Sequence, residues 1–310
     1  MDPADLPLLS LAAPPQALTR ALAESFSAWG FALITDHGID AALIAEGWRL
    51  TAEIFAQPLA EKLRGHRPAL AGARGYTPFG REQAKAAPLP DLKEFWHVGR
   101  EPGPGGTNLL PANIWPRRPA GCAAVFTRLF AEFDRVGAVL LARIAVHLGL
   151  DPGFFAEASR SGNSVLRLLH YPPVTGPATH ALRASAHEDI NLITLLLGAE
   201  EAGLELRVSG GGWHAITPPP GALVVNIGDM LQRLTNRLLP STTHRVRNPG
   251  ADHAARSRYA MPFFLHPPPD FPLAVLPQCV SAAHPNRYPG ALTADGFLQQ
   301  RLEEIGLKAK

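Results

Sequence analysis

His187 and Asp189 stand two positions apart in His187-Glu188-Asp189, and a second histidine, His244, follows in Thr242-Thr243-His244-Arg245-Val246. On an extended segment, residues two apart point to the same side, so His187 and Asp189 can address one point in space. His244 completes a three-ligand face if the chain folds back on itself as a sheet or barrel. Two imidazoles and one carboxylate on one face leave positions open on a bound metal, which suits a non-haem Fe(II) centre that reacts with O2. The same ligand types also suit Zn(II), but no separate general base for hydrolysis stands out. By itself His-x-Asp with a remote His is a weak signal, because each of the 12 histidines has an ordinary reading as a hydrogen-bonded surface group.

The surroundings of the triplet sharpen it. Asn226-Ile227-Gly228-Asp229-Met230-Leu231, then Thr235-Asn236, then Ser241 to Val246, resemble the double-stranded β-helix core of the 2-oxoglutarate- and Fe(II)-dependent oxygenases. More narrowly the chain resembles the isopenicillin N synthase-like branch, bacterial members included. Arg74 to Gly80, Asp91 to Gly99 and Asn113-Ile114-Trp115-Pro116 look like further segments of that branch and extend the resemblance over most of the chain. Asp36-His37-Gly38 resembles the end of an N-terminal strand in the family, which gives His37 a structural part. The resemblance implies that His187, Asp189 and His244 are catalytic iron ligands. It implies Fe(II), 2-oxoglutarate and O2 as cofactor and cosubstrates, and an oxidoreductase of the dioxygenase type. A small organic substrate would be hydroxylated, desaturated or cyclised with release of succinate and CO2.

A dicarboxylate cosubstrate needs a cation for its distal end, and the planar fork of arginine matches a carboxylate bidentately. Arg258-Tyr259-Ala260-Met261-Pro262-Phe263-Phe264 resembles the family strand that carries an Arg-x-Ser pair, with Arg258 in the Arg position and Ala260 in place of the Ser. The lost hydroxyl is a neutral hydrogen bond of about 1 kcal/mol. Arg167-Leu168-Leu169-His170-Tyr171-Pro172 resembles the strand that ends in Tyr-Pro; Leu169 replaces the family's Asn, while Tyr171 remains as a second anchor. Ala260 and Leu169 keep open an Fe(II)/O2 oxidase of the same family that does without 2-oxoglutarate. A jelly-roll protein that binds a metal or small ligand without turnover is the alternative outside the enzymes. On the substrate side, position suggests Tyr76, Phe79, Phe95, His97, Leu231 and Phe264.

The elements that must position these groups change character along the chain. Leu6 to Leu11 reads as an edge strand, and Leu18, Leu22 and Phe26 mark a helix that stops at Gly30. Helical stretches follow at Ala41 to Phe55 and Leu59 to Leu63, and the strongest helical stripe runs from Pro119 to Leu148. From Ser164 the pattern turns to strands: Val165 to His170, Ile190 to Leu197, Leu204 to Val208, Leu223 to Ile227 and Tyr259 to Leu265. A closing helix is expected over Ala294 to Ile305. Many short strands between turns argue for a jelly roll or barrel, and 31 Pro and 28 Gly supply the punctuation. The expected fold is mainly β with α. Residues 1–118 form an N-terminal α/β region packed on the core, and residues 119–310 form a long helix, the double-stranded β-helix and a C-terminal helix. Such a sheet needs helices to cover its apolar face, so the two parts are not expected to fold separately.

Composition excludes several alternatives. A net charge of +2 gives no general affinity for nucleic acid or anionic membrane. Two cysteines, Cys122 and Cys279, make no disulfide framework. No signal segment or membrane-length apolar run is visible. A cytoplasmic enzyme acting on a small molecule is expected, with its oligomeric state open.

Overall fold

The computed structural model describes residues 6–84, 87–101, 110–174, 181–198, 203–208 and 210–304. Ile305, the expected end of the closing helix, lies outside them. β1 (Leu8–Ser10) pairs in parallel with β2 (Phe31–Thr35) at the edge of the larger sheet. Between them α1 (Pro15–Trp29) buries Leu18, Leu22 and Phe26, and it ends at Gly30 in the left-handed region, φ 68°. Glycine is needed there twice over: a Cβ would also lie 2.4 Å from Thr242 Oγ1. Thr242 Oγ1 donates instead to the Trp29 carbonyl at 2.7 Å, which ties the end of α1 to the segment that carries His244.

α2 (Ala41–Phe55), α3 (Leu59–Leu63), β3 (Gly75–Thr77) and β4 (Glu94–Gly99) follow. The long helix, α4, begins at Cys122 and runs to His147, three residues later than its stripe suggests, and α5 (Gly153–Arg160) turns back against it. The remaining strands are β5 (Val165–Tyr171), β6 (Ala184–His187), β7 (Ile193–Leu197), β8 (Leu204–Arg207), β9 (Trp213–Ala215), β10 (Leu223–Ile227), β11 (His244–Val246) and β12 (Arg258–Leu265). α6 (Asp229–Leu234) leaves β10, and α7 (Ala294–Glu304) closes the described chain. The larger sheet has the order β1-β2-β10-β7-β12-β5-β4-β3, the smaller β6-β11-β8-β9. Two facing, almost wholly antiparallel sheets are the jelly roll expected from the strand spacing. One face of the large sheet packs against α1, α2 and α4 in a core that joins Leu22, Phe26, Phe126, Phe133, Leu195 and Phe263. N-terminal elements thus share both the large sheet and its core with the rest of the chain. No helix among the described residues is long and apolar enough to cross a membrane.

Across this helix-covered face runs a buried ionic cluster. Glu94 accepts from Lys62 Nζ at 2.8 Å, from His170 Nδ1 at 2.8 Å and from the Tyr76 hydroxyl, joining α3, β3, β4 and β5. Burial opposes the charge on Glu94, but His170, Lys62 and Tyr76 together hold its carboxyl below the usual 4.5. Lys62→Met should cost about 3–5 kcal/mol in urea unfolding, since it strands a buried carboxylate. A group whose folded pKa is depressed stabilises above its unfolded value and loses that contribution as the pH falls through and below it. Stability from Glu94 is therefore expected to be complete at neutral pH and to fade below about pH 4.5, and Glu94→Gln should flatten that acid limb.

Candidate active site

His187 is the last residue of β6 and His244 the first of β11, and the two pair directly across the antiparallel ladder. Asp189 lies just beyond β6, in the turn toward β7. The His187 and His244 rings sit 4.5 Å apart, and their Nε2 atoms lie 3.8 and 3.9 Å from Asp189 Oδ1. All three ligand atoms fall within 4.8 Å of one another.

The neighbours orient each ligand for a metal. His187 Nδ1 donates to the Ser185 carbonyl at 2.7 Å and His244 Nδ1 to the Thr242 carbonyl at 3.1 Å. With the proton on Nδ1, each Nε2 presents its lone pair toward Asp189. Asp189 Oδ2 accepts from Thr194 Oγ1 at 2.5 Å and Asn226 Nδ2 at 2.8 Å, leaving Oδ1 to face the imidazoles. Its carbonyl takes the Asp229 N–H at 2.7 Å. Burial would raise the Asp189 carboxyl, but His244, His187, Asn226 and Thr194 outweigh it and keep it ionised. Burial, with His244 beside it, lowers His187 and keeps that ring neutral. Two imidazole Nε2 atoms and a carboxylate O, with the other atoms of each group engaged, fit a divalent cation. Thr194→Val or Asn226→Ala should therefore weaken metal binding roughly 10–100-fold, measured by anaerobic Mn(II) or Fe(II) titration, with the fold retained.

Strand register sets out the cavity beside this triad. Directly opposed residues share a face, so the inner face of the large sheet carries rows: Tyr171 with Arg258, Phe95 with Leu169 and Ala260, and His97 with Arg167. A further row joins Phe264 to Thr194 and Asn226 beneath the triad. All of these but Phe95 and His97 line an inner cavity between the sheets, which reaches from Arg258 and Tyr171 to His187, Asp189 and His244. Arg258 is buried at 4% exposure, with its guanidinium 5.1 Å from the Tyr171 ring centre. A second, outer cleft is lined by Gly72, His97, Arg167, Glu188, His266 and, from α7, Leu298 and Arg301. The two share Lys93, Arg167, His187, Asp189 and Phe264, so they meet at the triad.

A jelly roll with a His-x-Asp…His face between two cavities defines a non-haem metal oxygenase. The chain matches the 2OG-Fe(II) oxygenase superfamily over residues 162–267 and the N-terminal region of the non-haem dioxygenases in morphine synthesis over 4–118. It is 32% identical over 292 residues to the 2-oxoglutarate-Fe(II) type oxidoreductase hxnY of Emericella nidulans, covering 90% of this chain and 82% of that one. Proline hydroxylase buaE of Petromyces alliaceus is 32% identical over 303 residues, 93% of each. Among solved structures, a 2OG-Fe(II) oxygenase family protein from Caulobacter crescentus superposes with a TM-score of 0.88 at 45% identity over 97% of this chain and 99% of that one. A full-length Neurospora crassa protein, solved in complex with alpha-KG and thymine, gives 0.84 at 27% identity over 97% of each. This chain belongs to the 2-oxoglutarate/Fe(II)-dependent oxygenases, in the isopenicillin N synthase-like family. It is a dioxygenase that uses Fe(II), 2-oxoglutarate and O2.

Of the residues anticipated from sequence, His187, Asp189, His244, Arg258 and Tyr171 come together around one cavity, with Phe264 and His97 on the cleft side. Three others are corrected by their positions. Tyr76 alternates to the opposite face of the large sheet, where its hydroxyl meets Glu94. Leu231 turns inward from α6 and is fully buried in the helix-side core. Phe79 is 48% exposed in the loop after β3 and lines neither cavity. Phe95 faces the inner side, but it is covered by the Arg167 guanidinium, 4.0 Å from its ring centre. His37 holds the Gly221 carbonyl at 2.8 Å, a structural tie as anticipated.

A buried charge lattice between the cavities was not anticipated. Glu82 takes Arg167 bidentately at 3.0 and 3.0 Å and Lys93 Nζ at 2.5 Å, and Lys93 also reaches Asp91 at 2.8 Å. Alternation from Tyr171 back to Leu169 and Arg167 was the available signal for Arg167; Glu82 lies in a segment without periodicity.

Proposed function

We propose that His187, Asp189 and His244 hold the iron, that Arg258 and Tyr171 hold the distal carboxylate of 2-oxoglutarate in the inner cavity, and that a small polar molecule is oxidised in the outer cleft. The observation that carries this reading is the meeting of the two cavities at the triad, with a buried arginine at the far end of only the inner one. Iron, when bound, supplies the activation of O2 that couples substrate oxidation to conversion of 2-oxoglutarate into succinate and CO2. The apolar side chains of Leu169, Leu196, Val224 and Ala260 line the inner cavity and limit water around the cosubstrate.

The cleft side offers hydrogen bonds with little net charge. Burial, with Arg167 beside it, lowers His97 well below its ordinary value, and burial pushes His266 down to about 4, so both rings are neutral near pH 7. The cations Lys93 and Arg167 are matched by Glu82 and Asp91. Such a wall favours a compact neutral molecule rich in donors and acceptors, and the Neurospora crassa relative was solved with thymine, a molecule of that kind. His97, Arg167, His266 and Phe264 are the residues proposed to face it. The core shared by Phe26, Phe126 and Phe263 also supports reading 1–118 as a region packed on the remainder and not an independent unit.

Anaerobic addition of 2-oxoglutarate to the Fe(II)-loaded protein should produce the weak visible absorption of the bound cosubstrate. Succinate release should then respond to a panel of small neutral heterocycles and amides more than to dicarboxylates or amines. Absence of both the absorption and any succinate would overturn the reading.

A further inference from the structure

Lys93 stands immediately before β4, and the register Glu94 with His170 places it opposite Tyr171, which in turn faces Arg258 on β12. Three neighbouring strands thereby deliver a lysine, a tyrosine and an arginine in one row on the inner face of the large sheet. The lysine side chain is 5% exposed and lines both the inner cavity and the outer cleft. Its Nζ lies 2.5 Å from Glu82 Oε1 and 2.8 Å from Asp91 Oδ2. Burial opposes this ammonium, but Glu82 and Asp91 raise its pKa above the ordinary lysine value, so it stays protonated. An ammonium has three donors, and these two carboxylates take two of them.

Glu82 also holds Arg167, two positions before Leu169 on β5, so the lysine head sits beside the stretch of wall where Leu169 and Ala260 face inward with no donor. We infer that Lys93 is a further cosubstrate-binding residue, giving its third N–H to 2-oxoglutarate from β4 in place of donors absent at Leu169 and Ala260. This rests on the inner cavity being the cosubstrate site. With Glu82 and Asp91 beside it, Lys93 adds a placed donor and little net charge, so its effect is expected near the lower end for a charged hydrogen bond.

The test uses full-length protein loaded with Mn(II), with 2-oxoglutarate binding read by anaerobic calorimetry. Lys93→Met combined with Asp91→Asn removes one cation and one anion together and leaves Glu82 paired with Arg167; Asp91→Asn alone is the reference. The double variant should bind Mn(II) as the reference does, while 2-oxoglutarate binding weakens about tenfold. If the double variant fails to fold, Lys93→Gln with Asp91→Asn replaces it, and a loss of about threefold or more is expected. A change smaller than that, or a parallel fall in Mn(II) affinity, overturns the inference. A parent that binds no 2-oxoglutarate at all would instead overturn the reading of the inner cavity.

Discussion

His187→Ala and Asp189→Ala should each abolish Fe(II) binding and, with it, succinate production. Each removes one of the three donors proposed to hold the iron, and Asp189 is the carboxylate among them. Changes to the groups behind the ligands cost roughly 10–100-fold in metal affinity, so losing a ligand itself must exceed that range. The fold should survive, because the triad lies at the ends of β6 and β11, outside the helix-packed core. Asp189→Ala does leave Thr194 and Asn226 without their acceptor, which costs about 1–3 kcal/mol if no water replaces it. Urea unfolding of the metal-free proteins measures that cost separately from binding. Anaerobic calorimetry with Fe(II) decides the matter: either variant binding iron as tightly as the parent would remove the triad from the metal.

Arg258→Ala should leave Fe(II) binding nearly intact and weaken 2-oxoglutarate roughly ten- to a hundredfold. Loss of a charged hydrogen-bonding partner costs about 1.5–3 kcal/mol, and each 1.4 kcal/mol is about tenfold. Ala260→Ser restores a hydroxyl on the same inner face and should tighten 2-oxoglutarate by about tenfold at most. Arg256 is the internal control. It is exposed, precedes β12, and its carbonyl is taken by Arg183 at 3.0 Å. If Arg256→Ala weakens 2-oxoglutarate and Arg258→Ala does not, the cosubstrate lies outside the inner cavity. If neither matters, Arg258 is not the anchor of the distal carboxylate.

Local patterning is enough for α1 to α4, α7 and the long strands, but not for the short α5 and α6. Leu18, Leu22 and Phe26 mark the buried face of α1, Gly30 ends it, and β10 begins and ends where its apolar run does. Those signals are legible because burial of a stripe and the conformational freedom of glycine act within a few residues. β6 and β11 were not legible as strands. They are four and three residues long, Ala-Ser-Ala-His and His-Arg-Val, and only pairing with each other and with β8 makes them strands. His187, Asp189 and His244, the residues proposed to hold the iron, nevertheless stand out by residue type and by the family resemblance of their surroundings.

Alternation shows which residues share a face, but it does not say which face turns toward the cavity. Tyr76 is the example: its ring suits either side, and the packing of α2, α3 and α4 on one side of the sheet makes the choice. Leu231 differs, since α6 turns it into the helix-side core. What holds for Tyr76 holds also for Lys93, Glu82 and Arg167. Their charges are written in the chain, yet Glu82 and Arg167 are separated by 85 positions. Desolvation of ions is tolerable only where opposite charges converge, and the closing of β4 against β5 brings these groups together. Ligand chemistry was therefore readable residue by residue, while the orientation of Asp189 by Thr194 and Asn226, and the joining of two cavities at the triad, exist only once distant strands pair.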